Sequence, residues 1–519
     1  MSQNQKPPEM PPLNGGKLVI ATIALSLATF MNVLDTTIAN VSIPTIAGNL
    51  GASQTQGTWV ITSFAVSNAI AVPLTGWLVQ RIGQLRLFIW SINLFVLASL
   101  LCGLSVNLEM LVGFRVMQGL VAGPMIPLSM ALLLQCFPKK SAGMAVAMWS
   151  MTTTVAPVVG PILGGWLTDN VSWPWVFYIN VPVGILAALL TRIVLAGRES
   201  QTRKLPIDKI GLALLVIWVG SLQLVLDKGK ELDWFNSATV VTLAITAIIA
   251  FAFFIVWELT ERQPVVDLTL FGVRNFTMAG LSLALGYSVF FMNIVLVPLW
   301  LQQIMGYTST WAGLATAPLG ILAVLLSPLV GRGLAKWDPR LFASTALVIF
   351  AMTYFMRSGF STAVDLKTIV ASHLFQGIGL AGFMTSLTAL ALSGLPPHRI
   401  PEASGLLNFI RIMLGAFGAS VGTTMWENRA IMHHAQLTEQ VTPFSWNSGE
   451  VLNKLSEIGL QKAQALGLIE TELNRQSFML SGTEIFYLSG LLCLVLSVLV
   501  WVARPEKSAV ALKDVAGGH

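Results

Sequence analysis

Residues 18–40, LVIATIALSLATFMNVLDTTIAN, form an apolar run broken by one charge, Asp35. Wound as a helix with a rise of about 1.5 Å per residue, the run is long enough to cross roughly 30 Å of hydrocarbon. Runs of this kind recur along the 519 residues, which are 55% hydrophobic and 10% charged. A soluble domain carries about 25% charged residues, so a water-soluble fold is excluded. Transmembrane barrels read as short alternating segments, so the fold class is an all-α polytopic membrane protein.

Apolar runs place helices near 18–40, 57–79, 87–105, 110–134, 143–167, 175–196, 209–226, 238–257, 276–299, 311–330, 341–357, 367–393, 403–426 and 482–502. Fourteen spans put both ends of the chain on one side. The formal charge of +6 does not point to nucleic acid, because Lys and Arg sit in short connections and not in one patch. Arg81 and Arg86, Lys139 and Lys140, Arg198, Arg203, Lys204 and Lys209, Arg262 and Arg274, and Arg332, Lys336 and Arg340 fall in alternate connections. The intervening set is nearly bare, holding only Lys228, Lys230, Arg357 and Lys367 before the last long one. The positive-inside rule makes the first set and both termini cytoplasmic. The polar, proline-rich start reads as a cytosolic tail, since the first run is too long for a cleavable signal and lacks its cleavage site.

An internal repeat sets the organisation. LEMLVGFRVMQGLVAG from Leu108 aligns with LKTIVASHLFQGIGLAG from Leu366, laying Gln118-Gly119 over Gln376-Gly377 and Arg115 over His373. GWLVQRIGQLRLF from Gly76 likewise resembles GRGLAKWDPRLF from Gly331. Span 2 therefore pairs with span 10 and span 4 with span 12. Spans 7 and 8 become an insertion between two parallel six-helix bundles with a central site. The division is a tail at 1–17, a first bundle at 18–198, inserted helices at 199–265 and the rest of the second bundle at 266–426. A long polar loop at 427–481, helix 14 at 482–502 and a tail at 503–519 complete it. That loop faces the periplasm, carries helical periodicity in VLNKLSEIGLQKAQALGLIETELN, and is longer than connections without a function usually are.

These motifs carry a resemblance. LDTTIANVSIPTI, FRVMQGLVAG and APVVGPILGG together resemble the fourteen-span drug:proton antiporter branch of the major facilitator superfamily. QGTWVITSF, DKGKELDWF, NRAIMHHAQLTE and the long last loop are similar to its EmrB subgroup over nearly the whole chain. The resemblance implies two bundles that rock about a central cavity and an inner-membrane pump for hydrophobic or amphipathic drugs. It also implies partnership with a periplasmic membrane-fusion adaptor and an outer-membrane channel, with the long loop as docking surface or lid.

Asp35 is a carboxylate inside a span, where it costs about 2.5–3.5 kcal/mol on insertion scales unless it meets water, a partner or a proton. Arg115 lies at a similar depth in span 4, so the two are placed to pair. The resemblance gives both a role in proton coupling. Pro157, Gly160, Pro161, Gly164 and Gly165 give span 5 a smooth face for close packing, and the resemblance makes this GPxxGG element a marker of export. Gly76, Arg81 and Gly83 form the cytoplasmic loop motif, in which Gln80 replaces the Asp usual in the superfamily. Asn32, Gln118, Asn293, His373, Gln376 and Arg411 are the polar candidates for the substrate cavity. Glu484 reads as interfacial and His433-His434 as solvated loop.

Cys102, Cys136 and Cys493 show no metal or disulfide spacing and read as small buried residues. There is no GxxxxGK[ST] loop, so the chain does not itself use ATP through that motif and an ion gradient must drive it, a proton gradient by the resemblance; no cofactor or metal is expected. The alternatives are a metabolite symporter, against which the GPxxGG element argues, and a membrane enzyme, for which no Ser/His/Asp cluster, HExxH or intramembrane carboxylate pair exists.

Overall fold

The computed structural model describes residues 11–138, 142–200, 202, 208–229, 232–261, 264–334, 336–395, 399–441, 446–458 and 460–504. Of the charges used for orientation, Lys139, Lys140, Arg203, Lys204, Lys230 and Arg262 lie outside the described residues, as do residues 1–10 and 505–519 of the expected tails.

Span 1 is Gly15–Ile38, span 2 Trp59–Ile82, span 3 Gln84–Gly103, and span 4 Leu108–Ala122 followed by Met125–Cys136. Span 5 is Ala142–Asn170, span 6 Asn180–Val194, span 7 Lys209–Lys228 and span 8 Ala238–Thr260. Span 9 is Arg274–Gln303, span 10 Ser309–Thr316 followed by Pro318–Leu334, span 11 Pro339–Ser358 and span 12 Leu366–Leu392. Span 13 is Ile400–Gln440 and span 14 Lys462–Leu499. Thirteen helices among the described residues are long and apolar enough to cross a membrane, and the 29-residue helix of span 5 fills the remaining place. Short polar side chains start several of them: Asn107, Asp208, Asp338 and Asp365 each accept a hydrogen bond from a first-turn amide that the helix itself leaves unpaired.

The packing repeats with a shift of eight helices. Span 1 lies on spans 5 and 6 as span 9 lies on 13 and 14, and span 2 lies on 4 as span 10 lies on 12. Span 3 meets 4 and 6 as span 11 meets 12 and 14. The bundles touch through span 2 against span 13 and span 5 against span 10, two contacts that exchange under the same shift. Spans 7 and 8 pair with each other outside this scheme.

Span 2 turns into span 3 at Gly83, whose φ of +100° is open to glycine and strained for other residues. Glu199, just after span 6, accepts from the amides of Leu85 and Arg86 at 3.0 and 2.9 Å. A negative charge thus caps span 3 from another part of the chain, in a motif whose own acidic position holds Gln80. Arg81 folds back over the Trp77 ring, and a Cβ on Gly76 would meet open space.

The 427–481 segment is helical where its periodicity predicts, but the ends of spans 13 and 14 depart from the expected bounds. Span 13 runs unbroken for 41 residues to Gln440, span 14 begins at Lys462 and runs for 38, and a short helix, Trp446–Glu457, lies between. Hydropathy marks where hydrocarbon ends, whereas a helix continues for as long as it finds partners. Trp426 supplies them, donating to the Phe478 carbonyl at 3.0 Å and stacking edge-on against its ring, while its own carbonyl accepts from Ser481. His433 and His434 are likewise helical: His434 meets Glu470 at 3.0 Å, and His433 lies 3.0 Å from Glu484 without hydrogen-bonding geometry. Glu484, expected at a helix start, sits well inside span 14 and faces Arg429.

The end bearing this segment, termed outer below, is closed between the bundles. A Cβ on Gly313 would fall 2.1 Å from the Pro161 carbonyl oxygen, and one on Gly165 2.4 Å from that of Ser309, so spans 5 and 10 meet backbone to backbone. Gly160 and Gly164 give the same close approach to Thr37 and Ile38 of span 1. The side chain of Pro157 lies outside the described residues. Asp169 accepts from the amide and hydroxyl of Thr310, and Gln302 donates to the Val41 carbonyl at 3.0 Å. Replacing Gly313 with Leu should cost about 1–3 kcal/mol of closed-state stability, the usual penalty of overpacking, and lower the melting temperature of the purified protein. Gly331→Leu, at a position where a Cβ meets nothing within 4 Å, should leave it unchanged.

Candidate functional site

Asp35 is fully buried in the last turn of span 1. An ionised carboxylate only accepts hydrogen bonds, and each one here comes from a different residue. Arg115 Nη1 donates to Oδ2 at 2.5 Å, and Oδ1 takes Gln118 Nε2 at 3.0 Å and Asn180 Nδ2 at 2.7 Å. Ser99 accepts from Gln118 at 2.7 Å. Arg115, 1% exposed, also donates through Nε to the Val60 carbonyl at 2.8 Å and lies 4.2 Å from the Phe64 ring centroid. Spans 1, 2, 3, 4 and 6 therefore converge on one ion pair. The arrangement satisfies both charges and leaves neither in contact with solvent.

The register that lays Gln118 on Gln376 also lays Asp35 on Asn293, Ser99 on Arg357 and Arg115 on His373. Asn293 donates to its own helix at Val289 and to Ser489 at 3.4 Å, and His373 meets the Ile369 carbonyl at 2.9 Å. Gln376 accepts from Arg357 at 2.8 Å and donates to the Tyr354 hydroxyl at 3.0 Å. Arg357 donates to Ser372 as well and is 2% exposed. The sequence reading counted Arg357 among loop charges. The structure instead buries it in the last turn of span 11. Its signal was the repeat itself, which sets it one bundle over from Ser99 and next to Gln376. The second bundle thus repeats the frame of the first with its acid replaced by an amide, its arginine by a histidine, and an arginine in the place of Ser99.

The expected cavity residues divide. Asn32, which donates to the Ala122 carbonyl at 3.0 Å, and Gln118 are inside the first bundle, and Asn293, His373 and Gln376 are inside the second. Arg411 alone is partly exposed, its guanidinium 4.9 Å from the Tyr287 ring and Nη1 against the Met384 sulfur, with Nε lacking a partner. Sequence reasoning missed Ser99 and Asn180, small polar residues in spans that give no signal until their neighbours are known.

The sequence pattern of the Major Facilitator Superfamily matches residues 25–419. The chain therefore belongs to that superfamily. It is 52% identical over 499 residues to the multidrug export protein EmrB of Escherichia coli K12, covering 96% of this chain and 98% of that one. It is 48% identical to the fatty acid resistance protein FarB of Neisseria gonorrhoeae, over 98% of this chain and the whole of that one. Among solved structures, a bacterial homologue of the lysosomal transporter Spinster in an inward-facing, unoccupied conformation superposes with a TM-score of 0.63 at 18% identity, covering 96% of this chain and all of that one.

Arg115→Ala would leave Asp35 buried without its cation, a change that costs about 3–5 kcal/mol for pairs of this kind. The expected result is a clear fall in melting temperature for Arg115→Ala, partly restored when Asp35→Asn is added. Additive losses in the double-mutant cycle would separate the two residues.

Proposed function

We propose that the chain is a proton-driven exporter of hydrophobic and amphipathic compounds, seated in the inner membrane with both termini in the cytoplasm. The observation that carries this reading is the Asp35 carboxylate, held by three N–H donors inside one bundle while its counterpart in the other is the neutral Asn293. A proton arriving on Asp35 places a donor where it faces Arg115, Gln118 or Asn180, which are donors already. It also turns a neutral ion pair into a net positive cluster in a medium of low dielectric. Both effects loosen the convergence of spans 1, 2, 3, 4 and 6, and that loosening is the coupling step. Proton release on the cytoplasmic side restores it.

The names of the relatives support export, and the close packing of spans 5 and 10 supports a gate that opens and shuts at the outer end. One proton moving through about 150 mV supplies roughly 3.5 kcal/mol, a concentration ratio of a few hundred. Exchange for a neutral compound uses that electrical work, whereas exchange for a monovalent cation relies on the pH difference alone. Asp35→Asn should abolish gradient-driven uptake of a lipophilic compound into proteoliposomes while inserting normally. Transport at the wild-type rate under the same pH gradient would remove Asp35 from the mechanism.

Export across two membranes needs a continuation beyond the pump. We assign this to a periplasmic membrane-fusion adaptor and an outer-membrane channel, with the paired extensions of spans 13 and 14 as the docking surface. Ile431, Leu466 and Leu468 are exposed on these extensions and Val451 and Ile458 on or beside the short helix between them, all beyond the runs that read as membrane-crossing. Replacing residues 440–475 with a short Gly/Ser linker should weaken adaptor co-purification and whole-cell resistance. Exchange by the isolated pump should persist, and its loss would make the segment a lid.

A further inference from the structure

The inserted helices are not needed to complete either bundle, yet the outer end of span 7 reaches both. Asp227, in its last turn, accepts at Oδ1 from Gln223 of its own helix at 2.8 Å and from Ser420 of span 13. Its Oδ2 accepts from Thr62 of span 2 at 3.2 Å. Gln223 bonds Ser420 as well, at 2.6 Å, so the carboxylate is braced toward the second bundle. The neighbouring Lys228 lies 5.0 Å from the ring of Trp59, again in span 2. Further in, Leu215 and Trp218 of span 7 share one apolar core with Leu407 and Met413 of span 13 and with Ala69 and Ile70 of span 2.

Spans 2 and 13 are antiparallel here, and Thr55 bonds Glu427 two helical turns outward of the Thr62–Asp227–Ser420 bridge. Thr58 and Thr423, between the two ties, line a cavity of about 170 Å³ with Gln303 and Trp426. At this outer stretch of the seam the hydroxyls and two carboxylates border water-sized space, so water can take over part of each bond as the helices separate.

We propose that the end of span 7 is the latch of the outer gate. Asp227 holds span 2 to span 13, and opening parts it from Thr62 while it stays with Gln223 and Ser420, so that span 7 travels with the second bundle. Asp227 is on this view a positioning residue for transport, and the inserted pair carries the gate's closing contact. The inference rests on the export reading only for its purpose, since the latch itself is measured without substrate.

The test is the distance between spin labels at Asn49 and Asn428, both exposed and on opposite bundles, in the full chain in lipid nanodiscs. Asp227→Ala and Thr62→Val should each raise the fraction of long distances about tenfold, the loss of one charge-assisted hydrogen bond. Asp227→Asn, which keeps an acceptor for Ser420 and a polar group for Thr62, should return most of the population to the short distance. Wild-type distributions in the Ala and Val variants would overturn the latch, and so would an open gate in the Asn variant. Neither result would touch the role of Asp35, which is read from transport.

Discussion

A carboxylate buried in a membrane helix must be surrounded by donors, and the first bundle is arranged around that requirement. Asp35 draws an arginine and an amide from span 4 and a second amide from span 6. Arg115 in turn needs the Val60 carbonyl, which is within reach because span 4 is glycine where it crosses span 2. A Cβ on Gly119 would fall 2.4 Å from the Phe64 carbonyl oxygen. Close packing and charge satisfaction are therefore one constraint, and loosening either loosens the other.

The second bundle shows what the same frame does without the acid. Asn293 occupies the matching place, and Arg357 is held by Ser372 and Gln376, both neutral. The duplicated halves thus share helix packing but not electrostatics. In the proposed cycle a proton changes the charge of one half only. Rocking then follows from a difference between the bundles, since identical halves would respond alike.

Much of this was legible in the residues. Apolar runs marked the spans, the repeat exposed spans 7 and 8 as an insertion, and equal depth in spans 1 and 4 put Asp35 beside Arg115. What escaped did so for physical reasons. Arg357 closes an apolar run, where a charge reads as a boundary until the partner that buries it is known. Ser99 and Asn180 are too common a kind of polar residue to stand out. The ends of spans 13 and 14 were misplaced because hydropathy reports solvent, while Trp426, Phe478 and Ser481 keep the two helices wound together past the last apolar run. Asp227 entered only as the first residue of DKGKELDWF, and its bridging position depends on how two distant helices cross.

The length of span 13 has a mechanical consequence. Forty-one helical residues measure about 60 Å, roughly twice the hydrocarbon thickness, so some 20–30 Å of rigid rod stands clear of the bilayer, doubled by span 14. Such a rod is a lever whose fulcrum lies in the membrane. Tilting the second bundle by about 10° about its midplane would carry the tip sideways by roughly 8 Å at that length. A motion of a few ångströms at the gate therefore arrives amplified at the far end, where any protein resting on the tip would be moved by each turnover.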